Sequence, residues 1–243
     1  MLIIIAAVPL ETNLLRQELK DSRTEQLGSC CIEIGTIYDQ DVLIAHSGVG
    51  QTAMSLQLTR LLERYPAKAV LLCGCGGSYP DSTLRNGELA IATAEFFGDL
   101  GVSCEEDFIH LSELEIPQNP ELELIVQRSY LLPSPLVEHA RKTLPQALCG
   151  TFVTVNSCSG CAALSNELQQ RSGGICENME GAAAAQVCAE YNLPLLELRG
   201  ISNPTGSRDP QQWNIPLGAE AAQQGLLEIL RHWPEKQEES CNS

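Results

Sequence analysis

No window of this 243-residue chain reaches the roughly 18 consecutive apolar residues that a membrane-spanning helix needs, and no membrane partner is expected. The opening MLIIIAAVPL is apolar, but it lacks a basic leading segment and a small-residue cleavage site before Glu11. It reads as a first buried strand and not as a secretory leader. Basic residues are scarce, with 15 Lys and Arg against 31 Asp and Glu, a net charge of -16. They are also scattered, which disfavours nucleic acid, because a phosphate backbone is held by grouped cations. A small ligand without phosphates is not excluded on this ground. There is no Gly-Lys-Ser or Gly-Lys-Thr, so no phosphate-binding P-loop is present. No linker, internal repeat or low-complexity segment interrupts the chain. A single cytoplasmic domain over residues 1–234 is expected, followed by a disordered acidic tail, EKQEESCNS, over 235–243.

Cysteine, by contrast, is abundant, at an odd count of 11. A disulfide framework belongs to short secreted chains, and this chain is neither short nor visibly secreted. The Cys158-Ser-Gly-Cys161 pair has no second pair or nearby histidine to complete four ligands, and Cys30-Cys31 and Cys73-Gly-Cys75 lack structural-zinc spacing. The thiols are expected to be reduced and mostly buried as small hydrophobes, with no metal and no cofactor.

Apolar runs alternate with helical periodicity, which predicts an α/β fold. Strands are expected at Leu2–Ala7, Ala69–Cys73, Glu88–Ala94, Thr151–Val155 and Leu195–Ser202, with a hairpin from Ile32–Ile37 and Val42–His46 around the turn YDQD. Helices are expected at Glu11–Lys20, Gln51–Glu63, Leu136–Leu144, Gly181–Tyr191 and Pro216–His232. The acidic stretch Gly98–Pro120 breaks the alternation, and a connection of that length is more often functional than idle.

Several segments could carry chemistry. CGCGGSY at Cys73–Tyr79 reads as a glycine turn after a strand, suited either to tight packing or to close ligand approach; without a third spaced glycine it is no dinucleotide fingerprint. HSGVGQTA at His46–Ala53 reads first as a helix start with unusual dihedrals, and His46 as a strand-end residue before a catalytic base. Glu11 and Glu180 each follow a strand, where open α/β sheets place functional groups, yet each is also a carboxylate favoured by a helix N-terminus. They are a plausible acid/base pair. In LRGISNPTGSRD, Arg199 lies inside a strand and needs a partner. Asn203 at its end is either a turn former or a planar amide able to read a heterocycle edge. Trp213 either covers a pocket or packs.

Together, Glu11 after the first strand, SGVGQTA at Ser47–Ala53, the Gly74–Gly77 turn, NMEGAA at Asn178–Ala183 and RGISN at Arg199–Asn203 resemble the nucleoside phosphorylase and nucleosidase superfamily over nearly the whole chain. Within it the resemblance is closest to the futalosine hydrolase family, through GDLGV at Gly98–Val102, GCGGSYP, and ISNPTGSRDPQQW at Ile201–Trp213. That family cleaves the N-glycosidic bond of futalosine, a hypoxanthine nucleoside on the path to menaquinone. The resemblance implies a three-layer α/β/α domain with a mixed central sheet, working as a homodimer or larger homo-oligomer on a small purine nucleoside. It implies that Glu11 activates the attacking water, Arg199 helps orient it, Glu180 accepts from the ribose hydroxyls and Met179 packs on the sugar. Gly74, Cys75 and Gly76 belong to the glycine turn at the site, with Cys75 standing where adenine nucleosidases have serine. A base-stacking residue is expected within Phe152–Ser159, from which Thr154 is taken as a substrate-binding candidate, with Trp213 beside it. Adenine nucleosidases carry Asp at the position of Asn203; an amide there favours a 6-oxopurine. The alternatives left open are a phosphate-dependent phosphorylase, a methylthioadenosine/S-adenosylhomocysteine nucleosidase, and a nucleoside-binding protein without catalysis.

Overall fold

The computed structural model describes residues 1–105, 107–114 and 127–234. The tail 235–243 and, within the expected Gly98–Pro120 connection, residues 106 and 115–120 lie outside the described residues. The strands are β1 (Leu2–Ala6), β2 (Lys20–Leu27), β3 (Cys30–Ile37), β4 (Gln40–His46), β5 (Ala69–Ser78), β6 (Leu89–Phe97), β7 (Gly101–Ser103), β8 (Phe108–His110), β9 (Ser129–Leu131), β10 (Leu148–Thr154), β11 (Cys176–Asn178) and β12 (Leu195–Pro204). The helices are α1 (Asn13–Gln17), α2 (Gln51–Arg64), α3 (Pro135–Thr143), α4 (Ala162–Ser172), α5 (Gly181–Glu190) and α6 (Ile215–Arg231).

The sheet runs β11-β10-β6-β12-β5-β1-β4-β3-β2, with β9 added to β6. β1 is parallel to β4 and β5, and β12 is parallel to β5 but antiparallel to β6, so the sheet is mixed. β11 pairs with both β10 and β5, which closes β5, β12, β6, β10 and β11 into a ring while the remaining strands stay open. Side-chain alternation along β12 sets the layers. Glu197 and Arg199 face the start of α5, whereas Leu198 and Gly200 face α6, where a Cβ on Gly200 would collide with the backbone of Gly218. Helices α2 and α5 pack on one another, while α6 lies across β5 and β12 and touches α1 and α3. The core is centred on β1 and the first half of β5, whose side chains are buried on both faces. Each isoleucine of Ile3–Ile5 contributes about 2 kcal/mol by leaving water.

Three expectations need correction. The helix expected at Glu11–Lys20 is a 3-10 turn, Pro9–Thr12, followed by the short α1, because the carboxylate of Glu11 folds back onto the backbone before it and Lys20 already pairs with β3. The expected glycine turn Cys73–Tyr79 is strand as far as Ser78. β12 and β11 hold it on its two sides, and the glycines admit neighbours that a Cβ would strike. The Gly98–Pro120 connection contains the small hairpin β7–β8. In addition β2, β9, α4 and β11 form where no element was expected.

Candidate active site

Where the carboxyl ends of β1, β5, β11 and β12 meet, a cleft of about 260 Å³ opens. Glu11, Cys75, Gly76, Met179, Glu180, Arg199, Asn203 and Trp213 all line it. The 3-10 turn after β1 turns the Glu11 carboxylate inward, where Oε2 accepts from the N–H groups of Ala7 (3.0 Å) and Val8 (3.1 Å) and Oε1 from that of Cys75 (2.8 Å). Burial pushes its pKa above the ordinary value of 4.5, against the pull of Arg199 and of the backbone N–H groups. The result is a carboxylate fixed in position and more basic than one in water. The Cys75 thiol is driven the same way, its pKa pushed up to about 12 by burial and by Glu11, and is neutral at pH 7. It donates to the Ile215 carbonyl at 3.4 Å.

Arg199 is 2% exposed and spends its donors on protein. Nε donates to Glu197 Oε1 (2.8 Å), Nη1 to Glu180 Oε2 (3.2 Å) and to the Cys75 carbonyl (3.1 Å), and Nη2 to Asn178 Oδ1 (3.3 Å). Its partner Glu180 has its other oxygen on the Gly50 N–H at 2.9 Å. Gly50 holds that geometry with φ of +99°, so the glycines of SGVGQTA do more than start α2: one of them delivers an N–H to the cleft. Asn178, the last residue of β11, holds the turn into α5, its Oδ1 accepting from the N–H groups of Glu180 (2.9 Å) and Gly181 (2.7 Å).

Behind this row sits a second pair of carboxyls. Glu95 and Glu197 are both fully buried, and a Cβ on Gly181 would collide with Glu95 Oε1 and lie 2.5 Å from Glu197 Oε2. Glu197 Oε2 has no other donor among the described residues. Burial first, and then the neighbouring Glu197, push the pKa of Glu95 well above the carboxylate range. Arg199, bonded to Glu197 Oε1, is the cation beside this pair.

At the far side of Gly77, the Asn203 amide is fixed in orientation: Nδ2 donates to the Pro204 carbonyl (3.0 Å) and Oδ1 accepts from the Ser202 hydroxyl (2.7 Å). One hydrogen and one lone pair remain for a ligand. Across the same glycine, Glu177 also lines the cleft, held by the Ser159 N–H (2.9 Å), the Ser159 hydroxyl and the Tyr79 hydroxyl (3.1 Å).

Two of the residues expected at the cleft stand behind it. Thr154 is fully buried because its β10 register turns it inward, where it bonds Glu95 Oε2 (2.7 Å) and accepts from the Ala182 N–H (2.7 Å). Gly74 supplies space: a Cβ there would lie 2.7 Å from Glu11 Oε1 and 2.9 Å from Arg199 Nη1. Sequence reasoning missed Asn178, Glu95, Glu197, Glu177 and Arg208. Asn178 and Arg208 lie inside the motifs NMEGAA and ISNPTGSRDPQQW but were given no role, and the interruption of the apolar run LLELRG by Glu197, two residues from Arg199, was a further signal.

A fold and cleft of this kind define a class. The family model described as the Phosphorylase superfamily matches residues 1–231, and the chain belongs to that superfamily. Among curated relatives, the chain is 32% identical over 201 residues to a futalosine hydrolase of Streptomyces coelicolor, covering 79% of this chain and 80% of that protein. It is 25% identical over 247 residues to a 5'-methylthioadenosine/S-adenosylhomocysteine nucleosidase of Mycobacterium bovis, covering 93% and 95%. Among solved structures, a nucleosidase of the latter kind from Colwellia psychrerythraea, in complex with adenine, superposes with a TM-score of 0.81 at 22% identity, covering 94% of this chain and 93% of that one. That likeness is one of fold.

Proposed function

We propose that the protein hydrolyses the N-glycosidic bond of a purine nucleoside whose base is a 6-oxopurine, with futalosine as its substrate. The observation that carries the choice of base is Asn203: a neutral amide at the cleft, with one acceptor and one donor position left free. Its Oδ1 suits a protonated N7 and its Nδ2 suits a 6-oxo group, whereas a 6-amino group meets the donor with a donor. The 32% identical futalosine hydrolase supports the same reading.

In this reading the carboxylate of Glu11 removes a proton from water as the water oxygen bonds to C1′ of the ribose. The bond from C1′ to N9 breaks and its electron pair leaves with the purine, which takes up a proton at N7 from solvent, since an amide has none to give. Glu180, tied to Arg199 and Gly50, accepts from the ribose hydroxyls, and Met179 lies against the sugar. Charge develops on sugar and base only as the bond breaks, so these fixed groups act chiefly on the transition state. An anionic Glu11 beside the attacking position disfavours phosphate and favours water.

A second reading, cleavage of methylthioadenosine or S-adenosylhomocysteine, is favoured by the larger number of relatives carrying that name. The two separate when the protein is incubated with futalosine, inosine and methylthioadenosine, with and without phosphate, and the released base is measured by chromatography. Hypoxanthine released from futalosine independently of phosphate is the expected result. Adenine release selects the second reading, and a need for phosphate replaces water as nucleophile. In the same assay Glu11→Gln is expected to lower kcat by about a hundredfold or more while affinity for hypoxanthine stays.

A further inference from the structure

The hydrolysis gives work to Glu11 and Glu180 but none to Glu177, a third carboxylate in the same cleft. Glu177 is 6% exposed, and a carboxylate taken that far out of water has to be held by donors. Three are in place: the Ser159 N–H on Oε1 (2.9 Å), and the hydroxyls of Ser159 and Tyr79 on Oε2. Two carboxylate oxygens offer about four acceptor positions. Oε2 is therefore filled, and Oε1 keeps one. No cation among the described residues forms an ion pair with Glu177.

The sheet sets where that free position stands. β11 and β12 flank β5, and Glu177 and Asn203 are both register partners of Gly77. Register partners on neighbouring strands share a face, so the two side chains stand on either side of a residue that has none. A Cβ on Gly77 would lie 3.3 Å from Asn203 Nδ2. Two strand spacings, roughly 10 Å, separate the two backbones, and the floor between them is bare main chain. A flat bicyclic base resting on Gly77 meets both side chains, and they ask for different edges. Asn203 has one hydrogen and one lone pair to give, whereas Glu177 has a lone pair alone and needs a donor. In a 6-oxopurine, N1 beside the carbonyl carbon carries a hydrogen. In a 6-aminopurine, N1 is a bare lone pair, which a carboxylate repels.

Resting on the reading of the cleft as a 6-oxopurine nucleoside site, we infer that Glu177 is a specificity residue that accepts the N1–H of the base at its free position on Oε1, with Ser159 and Tyr79 as positioning residues that fix the carboxylate. Base choice is then divided between two strands: Asn203 on β12 reads one edge and Glu177 on β11 reads the next. Neither residue touches the bond that breaks.

The test measures kcat/KM for futalosine and for the same nucleoside with adenine in place of hypoxanthine, in the wild type, Glu177→Gln and Glu177→Ala. In Glu177→Gln the Ser159 N–H selects the amide oxygen for the Oε1 position, so the acceptor stays and the charge goes. The ratio of kcat/KM for futalosine to that for its adenine counterpart is expected to fall about tenfold in Glu177→Gln and about a hundredfold in Glu177→Ala. Both nucleosides meet the same preparation, so the ratio does not depend on how much of a variant is folded. A fall in either variant upholds the inference. A ratio unchanged or raised in both makes Glu177 a structural residue and overturns it. If the wild type cleaves neither nucleoside, the hydrolase reading fails, and calorimetric binding of free hypoxanthine and adenine decides the role of Glu177. A preference for hypoxanthine that Glu177→Gln reduces upholds it, and a preference left unchanged, or no binding of hypoxanthine by the wild type, overturns it.

Discussion

Asn203 presents its amide in one orientation because the Pro204 carbonyl can only accept, so the choice between an acceptor and a donor edge is made before any ligand arrives. Replacing it by Asp exchanges the free donor for a second acceptor. Asn203→Asp is expected to lower kcat/KM for a hypoxanthine nucleoside and raise it for an adenine nucleoside, changing their ratio by about a hundredfold or more in a competition assay. Glu11 must be ionised to take a proton, and burial raises its pKa. Activity is therefore expected to fall as pH drops through that raised value, with the acid limb of the kcat/KM profile above the ordinary 4.5 of a free glutamate. Glu95 works on stability in the other direction. Its pKa is raised in the folded protein, so the folded state holds a proton that the unfolded chain releases. That contribution is complete below the unfolded pKa and is lost as pH rises toward the folded one, at a slope of at most about 1.4 kcal/mol per pH unit. Urea unfolding across pH is expected to show this slope in the wild type and not in Glu95→Gln.

The start of α5 carries the site's most crowded backbone, since Gly181 follows Glu180 and is pressed against two carboxyl groups. Gly181→Ala is expected to destabilise the fold by about 1–3 kcal/mol, read by thermal or urea unfolding. By pushing Glu197 off Arg199, it should also raise KM. At β5, Gly74→Ala is expected to displace Glu11 and lower kcat more than it raises KM. Elements with a clean period were legible in the chain: β1, β4, β12, α2, α5 and α6 lie within a few residues of where apolar spacing puts them. β2 was not, because it is an exposed, almost wholly polar edge whose pairing with β3 decides its shape, and β11 is too short to show any period. The same logic divides the site. Glu11, Glu180 and Asn203 stand out as polar residues at strand ends and Arg199 as a charge inside an apolar strand, while Asn178, Glu95 and Glu197 matter chiefly through one another, and that mutual contact exists only in three dimensions.

At the scale of the whole molecule, every described cysteine is free, but the expectation that most are buried needs correction: Cys73, Cys176 and Cys188 are buried, whereas Cys31, Cys104, Cys158 and Cys161 are exposed. The thermal midpoint of freshly purified protein is accordingly expected to be the same with and without reductant. The order of the sheet has a consequence of its own. β5 and β6 are separated by a short loop, yet β12 lies between them, and Arg199 reaches Glu180 and the Cys75 carbonyl only from that inserted strand. On the ribosome, β5 and β6 emerge long before the strand that fits between them, so both wait as open edges of the kind that recruit other chains. The fold's long-range pairings make it slow to complete. A partial product that stops before β12 has no organised cleft, because the arginine that ties Glu180 and the Cys75 carbonyl together is contributed by the strand that closes the sheet.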